Sequence, residues 1–261
     1  MPYLSRITVY PIKSLDGVDL PQGEITTGGA LKHDRQFALF DPKGKYVNGK
    51  NNNVIQKVRS TFDLKANTVT LIPFNDVPPA TFHLDRDREW MGLWLGSYLQ
   101  VRAKVEVREN QTHGFPDDTK ASGPTIVSQS SLEQASSWFQ GLDSQEMGRR
   151  MRANLEITTD TAFWEDCLFG KRNAPREFAI GNVKFWGTNP CSRCIVPTRN
   201  SLTGEVNPKF QGTFSRQRRR TLTEGVDRSP FSHFYKFTVN TIIPASESGK
   251  VLHLGDEIKL L

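Results

Sequence analysis

The chain is short of cysteine, of histidine and of long apolar runs, and each shortage removes a class of function. Three cysteines in 261 residues do not make a disulfide framework, which points to a reducing compartment. No stretch approaches the roughly 18 consecutive apolar residues that cross a bilayer. The first residues, Met1 to Arg6, lack the apolar segment of a secretory signal. A soluble, cytoplasmic protein with no membrane association is expected. There is no Gly-rich flavin or nicotinamide fingerprint and no iron–sulfur cysteine set, so any electrons must come from another protein.

What is present is a modest excess of positive charge and ample aromatic residues. The formal charge is +6, with 16 Phe and 5 Trp in a hydrophobic fraction of 36%. A packed core is expected, in two modest domains or one large one. The charge fits an anionic cofactor, an acidic protein partner or nucleic acid. Acidic residues are spread throughout, so nucleic acid is not the expected partner.

The dominant period is two, which predicts a mainly β chain. Val101, Ala103, Val105 and Val107 alternate with Arg102, Lys104, Glu106 and Arg108. Gly181-Asn182 separates two strand-like runs as a two-residue hairpin. Asp41-Pro42-Lys43-Gly44 reads as a turn, and Gly255-Asp256 lies between Val251–Leu254 and Glu257–Leu260 in the manner of Gly181-Asn182. Helices are expected over Ser130–Phe139, with Ser130 and Glu133 as a capping box, over Glu89–Leu99, and over a basic Phe214–Leu222. The Gly- and Pro-bearing stretch from Asn110 to Thr125 is the best boundary. It divides the chain into an N-terminal β domain, 1–110, and a C-terminal one, 111–261.

Cys191-Ser192-Arg193-Cys194 is the one closely spaced cysteine pair. A thiolate is the nucleophilic and metal-binding form, and the intervening Arg193 favours it. Structural zinc wants four Cys or His ligands, but no second pair exists and His33, His83, His113, His233 and His253 are scattered. A thioredoxin-like dithiol wants a βαβ setting, whereas the surroundings read as strands. One sulfur can ligate a soft metal centre carried by an organic cofactor. Alternatively, both thiols are buried and inert. The pair alone favours inert thiols or a redox role over a metal.

Other candidates are weaker singly. Ser128-Gln129-Ser130 opens the best helix, where free N–H groups attract anions; a simple N-cap is the plainer reading. Arg152 and Asn154 read as same-face residues at a strand start, a pair suited to a phosphate or heterocycle edge. Lys13-Ser14 and Arg35 each read as surface groups. Arg216, Arg218, Arg219 and Arg220 form a basic cluster, either a solvated helix face or a steering patch for an acidic partner.

Taken in order, these blocks resemble the MOSC family, the fold of the C-terminal domain of molybdenum cofactor sulfurase. The two-part form of the mitochondrial amidoxime-reducing component and its bacterial relatives is most similar. The resemblance is carried by Tyr10-Pro11-Ile12-Lys13-Ser14, the Asp34–Asp41 block, Ser128–Leu132, Arg152–Leu155, Phe163-Trp164-Glu165-Asp166 and Asn189–Cys194. It implies a β-barrel MOSC domain with a MOSC N-terminal β domain, and a molybdenum cofactor (Mo-molybdopterin) in a cleft between them. Cys194 is then the metal ligand and catalytic residue. Lys13, Ser14, Arg35, Ser128, Gln129, Ser130, Arg152, Asn154, Ser192 and Arg193 hold the pterin and its phosphate, and Cys191 supports. The implied activity is reduction of N-hydroxylated compounds, amidoximes or hydroxylamines, with electrons from an acidic flavin, haem or ferredoxin donor. The alternative is a sulfur carrier or cofactor-delivery protein using a persulfide on Cys194. The chain departs from its relatives at Val196-Pro197-Thr198-Arg199-Asn200 and at Ser229–His233, so substrate choice does not carry over.

Overall fold

The computed structural model describes residues 1–101 and 104–261. Its largest sheet contains β1 (Tyr3–Val9), β2 (Val18–Leu20), β9 (Ile126–Ser128), β10 (Leu155–Thr158), β11 (Arg176–Ile180), β12 (Val183–Ser192), β13 (Lys236–Ile242) and β15 (Ile258–Leu260). The order is β15-β11-β12-β13-β9-β10-β1-β2. Only β9 and β10 run parallel. The sheet closes because the first residues of β1 reach the other end: Tyr3 bridges Glu257, and Leu4 N–H donates to Asp256 O at 2.8 Å. β1 pairs with β10 on one edge and shares its other edge between this closure and β2. A small ladder of β3 (Gln22–Glu24) with β14 (Val251–His253) flanks the barrel. Leu4, Ile7, Phe178, Phe185 and Val239, all 0% exposed, fill it.

A smaller body is built from the chain between β3 and β9. It holds the ladder of β4 (Phe37–Phe40) with β8 (Glu106–Glu109), and the meander β5 (Arg59–Asp63), β6 (Thr68–Ile72), β7 (Ala80–His83). Helix α1 (Arg88–Tyr98) buries Met91 and Leu95 against Val69, Leu71 and Val107. Packing therefore does not follow a cut at residue 110. The first 24 residues pair with strands of the C-terminal part, and the smaller body loops out between them. The alternating run around Val105 yields β8; Arg102 and Ala103, part of that expectation, lie outside the described residues.

Three more helices cover the barrel around an aromatic cluster: α2 (Gln129–Ser136), α3 (Ser144–Met151) and α4 (Phe210–Arg220). Phe210 and Phe214 lie one turn apart on one face, and Phe139 stacks on Phe210 at 4.4 Å. The helix boundaries correct the expectations. Ser128, not Ser130, is the cap of α2, because β9 delivers it with extended backbone and Ser131 N–H donates to its Oγ at 3.2 Å. Helix α3 was not anticipated, although Asp143 with Glu146 is a capping signal: Glu146 N–H donates to Asp143 Oδ1 at 2.6 Å. Gly181-Asn182 does join β11 to β12. The Gly255-Asp256 turn separates strands that enter different sheets.

Arg218 also departs from its expected solvated face. It is 1% exposed, paired with Asp166, and packed over the rings of Phe163 at 4.2 Å and Phe231 at 5.3 Å. Beside it, Glu165 accepts from Ser131 Oγ at 2.9 Å through Oε2, while Oε1 has no partner among the described residues. Burial, reinforced by the neighbouring Asp166 charge, pushes the Glu165 carboxyl up to about 7. In the unfolded chain it titrates near 4.5, so between these values the native state holds a proton the unfolded state has released. Stability then falls as pH rises through that interval and levels off above it. The step is on the order of 3 kcal/mol. Urea unfolding across this range is expected to show it in the wild-type chain and to show it removed in Glu165→Gln; an unchanged pH slope in the variant would place the titration elsewhere.

Candidate functional site

A cavity of about 730 Å³ opens between the barrel and the smaller body. The end of β12 delivers the cysteine block to it. Register shifts at Gly187/Asn189 and Pro190/Ser192 release this strand from regular pairing with β13, and such irregularities re-aim side chains at a sheet rim. Gly187 is required there, since a Cβ would lie 1.9 Å from Leu168 O. Cys191, Ser192, Arg193 and Cys194 all line the cavity. Arg193 Nη1 donates to Cys191 Sγ at 3.3 Å and Nη2 to Met151 O at 2.7 Å, while its buried Nε finds no partner. Exposed Ser192 Oγ lies 3.4 Å from His233 Nε2.

Across the cleft, charge is held by the turn after β1 and by the approach to β4. Arg35 Nη1 donates to Asp34 Oδ2 at 2.5 Å and to Asn154 Oδ1 at 2.9 Å. Burial alone lowers the Arg35 affinity for its proton, but Asp34 outweighs it and the net shift is upward. Arg35 and Arg152 both pack over the Tyr10 ring, at 4.9 and 4.0 Å. Arg152 is shifted down, chiefly by burial and further by Arg35. Lys13, 7% exposed, donates to Phe115 O and Asp117 Oδ1, each at 2.8 Å. Burial lowers its pKa against the pull of Asp117. Against a desolvation cost, Lys13 and Lys50 hold the largely exposed Asp117 carboxyl well below the usual carboxylate range. Ser14 Oγ accepts from Gly49 N–H at 3.2 Å.

Eleven Lys and Arg and six Asp and Glu line the cavity. Most of the cations are paired, including Arg6, Lys13, Arg35, Arg59, Arg149 and Arg150. Lys120, Arg152, Arg193 and Arg199 make no ion pair among the described residues. No three His, Cys, Asp or Glu cluster to hold a metal ion among them, and no helix there is long and apolar enough to cross a membrane. A metal in this cleft would rest on the cysteine block plus ligands brought by a cofactor.

The structure gathers Lys13, Ser14, Arg35, Arg152, Asn154, Ser192, Arg193 and Cys194 around this one cavity. Lys13 and Arg35 are not the surface groups expected of them, because partners remote in sequence bury them. Arg152 does not begin a strand. It caps α3 in the left-handed region at φ 53°, and β10 starts at Leu155. Asn154 is 1% exposed and held on both sides of its carboxamide: Oδ1 accepts from Arg35 and from Thr125 N–H at 3.1 Å, and Nδ2 donates to Thr8 O at 3.0 Å. It positions the cleft rather than facing a ligand. Ser128, Gln129 and Ser130 do not line the cavity. Ser128 caps its own helix, Ser130 Oγ donates to Thr161 O at 3.0 Å, and Gln129 Oε1 accepts from Thr158 at 3.1 Å. Sequence reasoning missed Lys120 and Arg199, and also Tyr10 and Asp34. The last two flank residues it did choose; Lys120 and Arg199 carry no local signal.

The family model of the MOSC N-terminal beta barrel domain matches residues 1–90. The chain is 24% identical over 254 residues to the molybdenum cofactor sulfurase of Drosophila melanogaster, an alignment covering 86% of this chain and 31% of that protein. It is 26% identical over 258 residues to that of Drosophila ananassae, with the same coverages. The chain thus spans about a third of the length of these relatives. The N-terminal third is thus similar to the MOSC N-terminal beta barrel domain, and most of the chain is distantly similar to part of these molybdenum cofactor sulfurases, in line with the MOSC resemblance read from the sequence blocks.

Removing the Asn154 carboxamide leaves the half-buried Thr125 N–H and the buried Thr8 O short of a partner, at up to about 1–3 kcal/mol per orphaned group. Asn154→Ala is expected to lower the chemical-denaturation midpoint accordingly. It is also expected to free Arg35, read as faster hydrogen exchange across β1 and β10. A midpoint equal to wild type would show that the carboxamide bonds are dispensable.

Proposed function

We propose that the cleft binds the molybdenum cofactor and that the loaded protein reduces N-hydroxylated compounds. The observation that carries this reading is the set of unpaired cations beside a cysteine: Arg152 and Arg193, with its orphaned Nε, lie in the same cavity as Cys194. A phosphate-bearing pterin with a soft metal matches that donor set, since guanidinium forks suit phosphate and thiolate suits a soft metal. The names of the relatives point the same way. When bound, the cofactor supplies two-electron redox chemistry.

The chain's own residues bind and orient. Arg152 and Arg193 neutralise phosphate, with Lys13 and Arg35 adding positive potential behind them. Asn154 and Asp34 fix Arg35. Cys194 fixes the metal, and Arg193 ties Cys191 to the end of α3 through Met151 O. The electron donor is a separate protein with an acidic face, for which exposed Arg219 and Arg220 on α4 supply complementary charge.

A second reading is favoured by the relatives' name: Cys194 carries sulfur as a persulfide for a partner. The two part cleanly. Protein expressed in a host that makes the cofactor is expected to carry near-stoichiometric molybdenum, and Cys194→Ser little, with the fold retained by circular dichroism. Loaded wild type is expected to reduce benzamidoxime with a reduced dye as donor. An intact mass one sulfur heavier in wild type, with no molybdenum in either protein, would replace cofactor binding by sulfur carriage.

A further inference from the structure

Arg199 lies five residues beyond Cys194 and lines the same cavity. Its backbone is pinned: N–H donates to Val196 O at 3.1 Å, and the residue bridges Val206. Its side chain reaches across to the smaller body. Nη1 donates to Gly49 O at 2.6 Å and to Gln56 Oε1 at 2.9 Å. Both acceptors are neutral, so they hold the guanidinium in place without cancelling its charge. The Nε and Nη2 edge has no partner among the described residues. Nearby carboxylates are committed elsewhere: Asp16 to Arg59, and Glu146 to Arg149, Arg150 and Ser201. A guanidinium fixed through one nitrogen, with a free two-nitrogen edge and no counter-ion, is preorganised for a bidentate oxyanion.

We infer that Arg199 is a substrate-recognition residue that binds a carboxylate on the substrate, so that this cleft selects anionic N-hydroxylated compounds. The inference rests on the reductase reading for the rest of the substrate and on Arg199 alone for the carboxylate. Arg199 bonds to Gly49 and Gln56, whereas Arg35 and Arg152 gather at Tyr10, so the oxyanion it takes is assigned to substrate rather than to the cofactor phosphate.

The test compares benzamidoxime with 4-carboxybenzamidoxime on molybdenum-loaded wild type, Arg199→Gln and Arg199→Lys, reading kcat/KM, the dissociation constant by calorimetry, and metal content. Wild type is expected to favour the carboxylate compound by roughly tenfold or more, the scale of a charge-assisted pair. Arg199→Gln is expected to bring the ratio towards one with full molybdenum, and Arg199→Lys to restore part of it. Equal ratios in wild type and Arg199→Gln would overturn the inference. Metal content falling in Arg199→Gln as it does in Cys194→Ser would reassign the guanidinium to the cofactor phosphate and overturn it equally. If neither compound is reduced yet calorimetry shows Arg199-dependent binding of the carboxylate compound, the reductase reading fails and the subsite stands.

Discussion

The Asn154 carboxamide is the contact on which the cleft depends. It joins β1 through Thr8 O, the segment entering β9 through Thr125 N–H, and the loop before β4 through Arg35. These partners lie 29 to 146 residues from Asn154 in sequence. An amide offers two donors and a carbonyl oxygen with two lone pairs, and here this neutral group fastens a charged side chain without adding charge of its own. Aspartate at this position would repel Asp34, and leucine would orphan all three partners. Because the node is dry, its bonds are worth more than they would be in water.

Strain gathers around the same place. Ser14, Arg35 and Arg152 adopt left-handed backbone, at φ 75°, 45° and 53°, which costs non-glycine residues roughly 1–2 kcal/mol each. Each is over-determined by its surroundings: Ser14 by Gly49, Arg35 by Asp34 and Asn154, Arg152 by its cap on α3 and its stack on Tyr10. Left-handed residues interrupt helices and strands, so a side chain can leave the regular surface and enter a cleft. Glycine would relieve the strain but would also remove the group that the bend presents.

Local chemistry made part of this legible in the sequence. Period-two alternation and Gly181-Asn182 depend on neighbours in sequence, and they predict β11, β12 and the mainly β fold. The run Glu89–Leu99 does yield α1, but of its apolar residues Trp90 and Leu93 stay exposed while Met91 and Leu95 are buried. What stayed hidden depends on distance. Lys13 looks like surface charge until Asp117, 104 residues on, is brought to it. Arg218 looks solvated until Asp166, 52 residues away, buries with it. Nothing near residue 3 announces that β1 closes against the end of the chain. Eight of the residues picked from the ordered blocks line one cavity, but Ser128–Ser130 shows the limit of such reasoning: a helix start can be spent on its own cap. Arg199 shows the converse, since the stretch that fits no pattern carries an uncompensated charge in the cavity.

The excess positive charge is unevenly placed. The whole chain carries 34 Lys and Arg against 28 Asp and Glu, an excess of six. The cavity lining alone carries eleven against six, an excess of five. Nearly all the net charge is therefore concentrated in one concave site, and the remaining surface is close to balanced. A nucleic-acid binder spreads its excess along a face to follow a phosphate backbone. A concave, partly desolvated site with unpaired guanidiniums instead focuses potential on a small anion. The basic character of this chain is in the main a property of its cleft, set by carboxylates that neutralise the cations needed for structure and leave unpaired those free to meet a ligand.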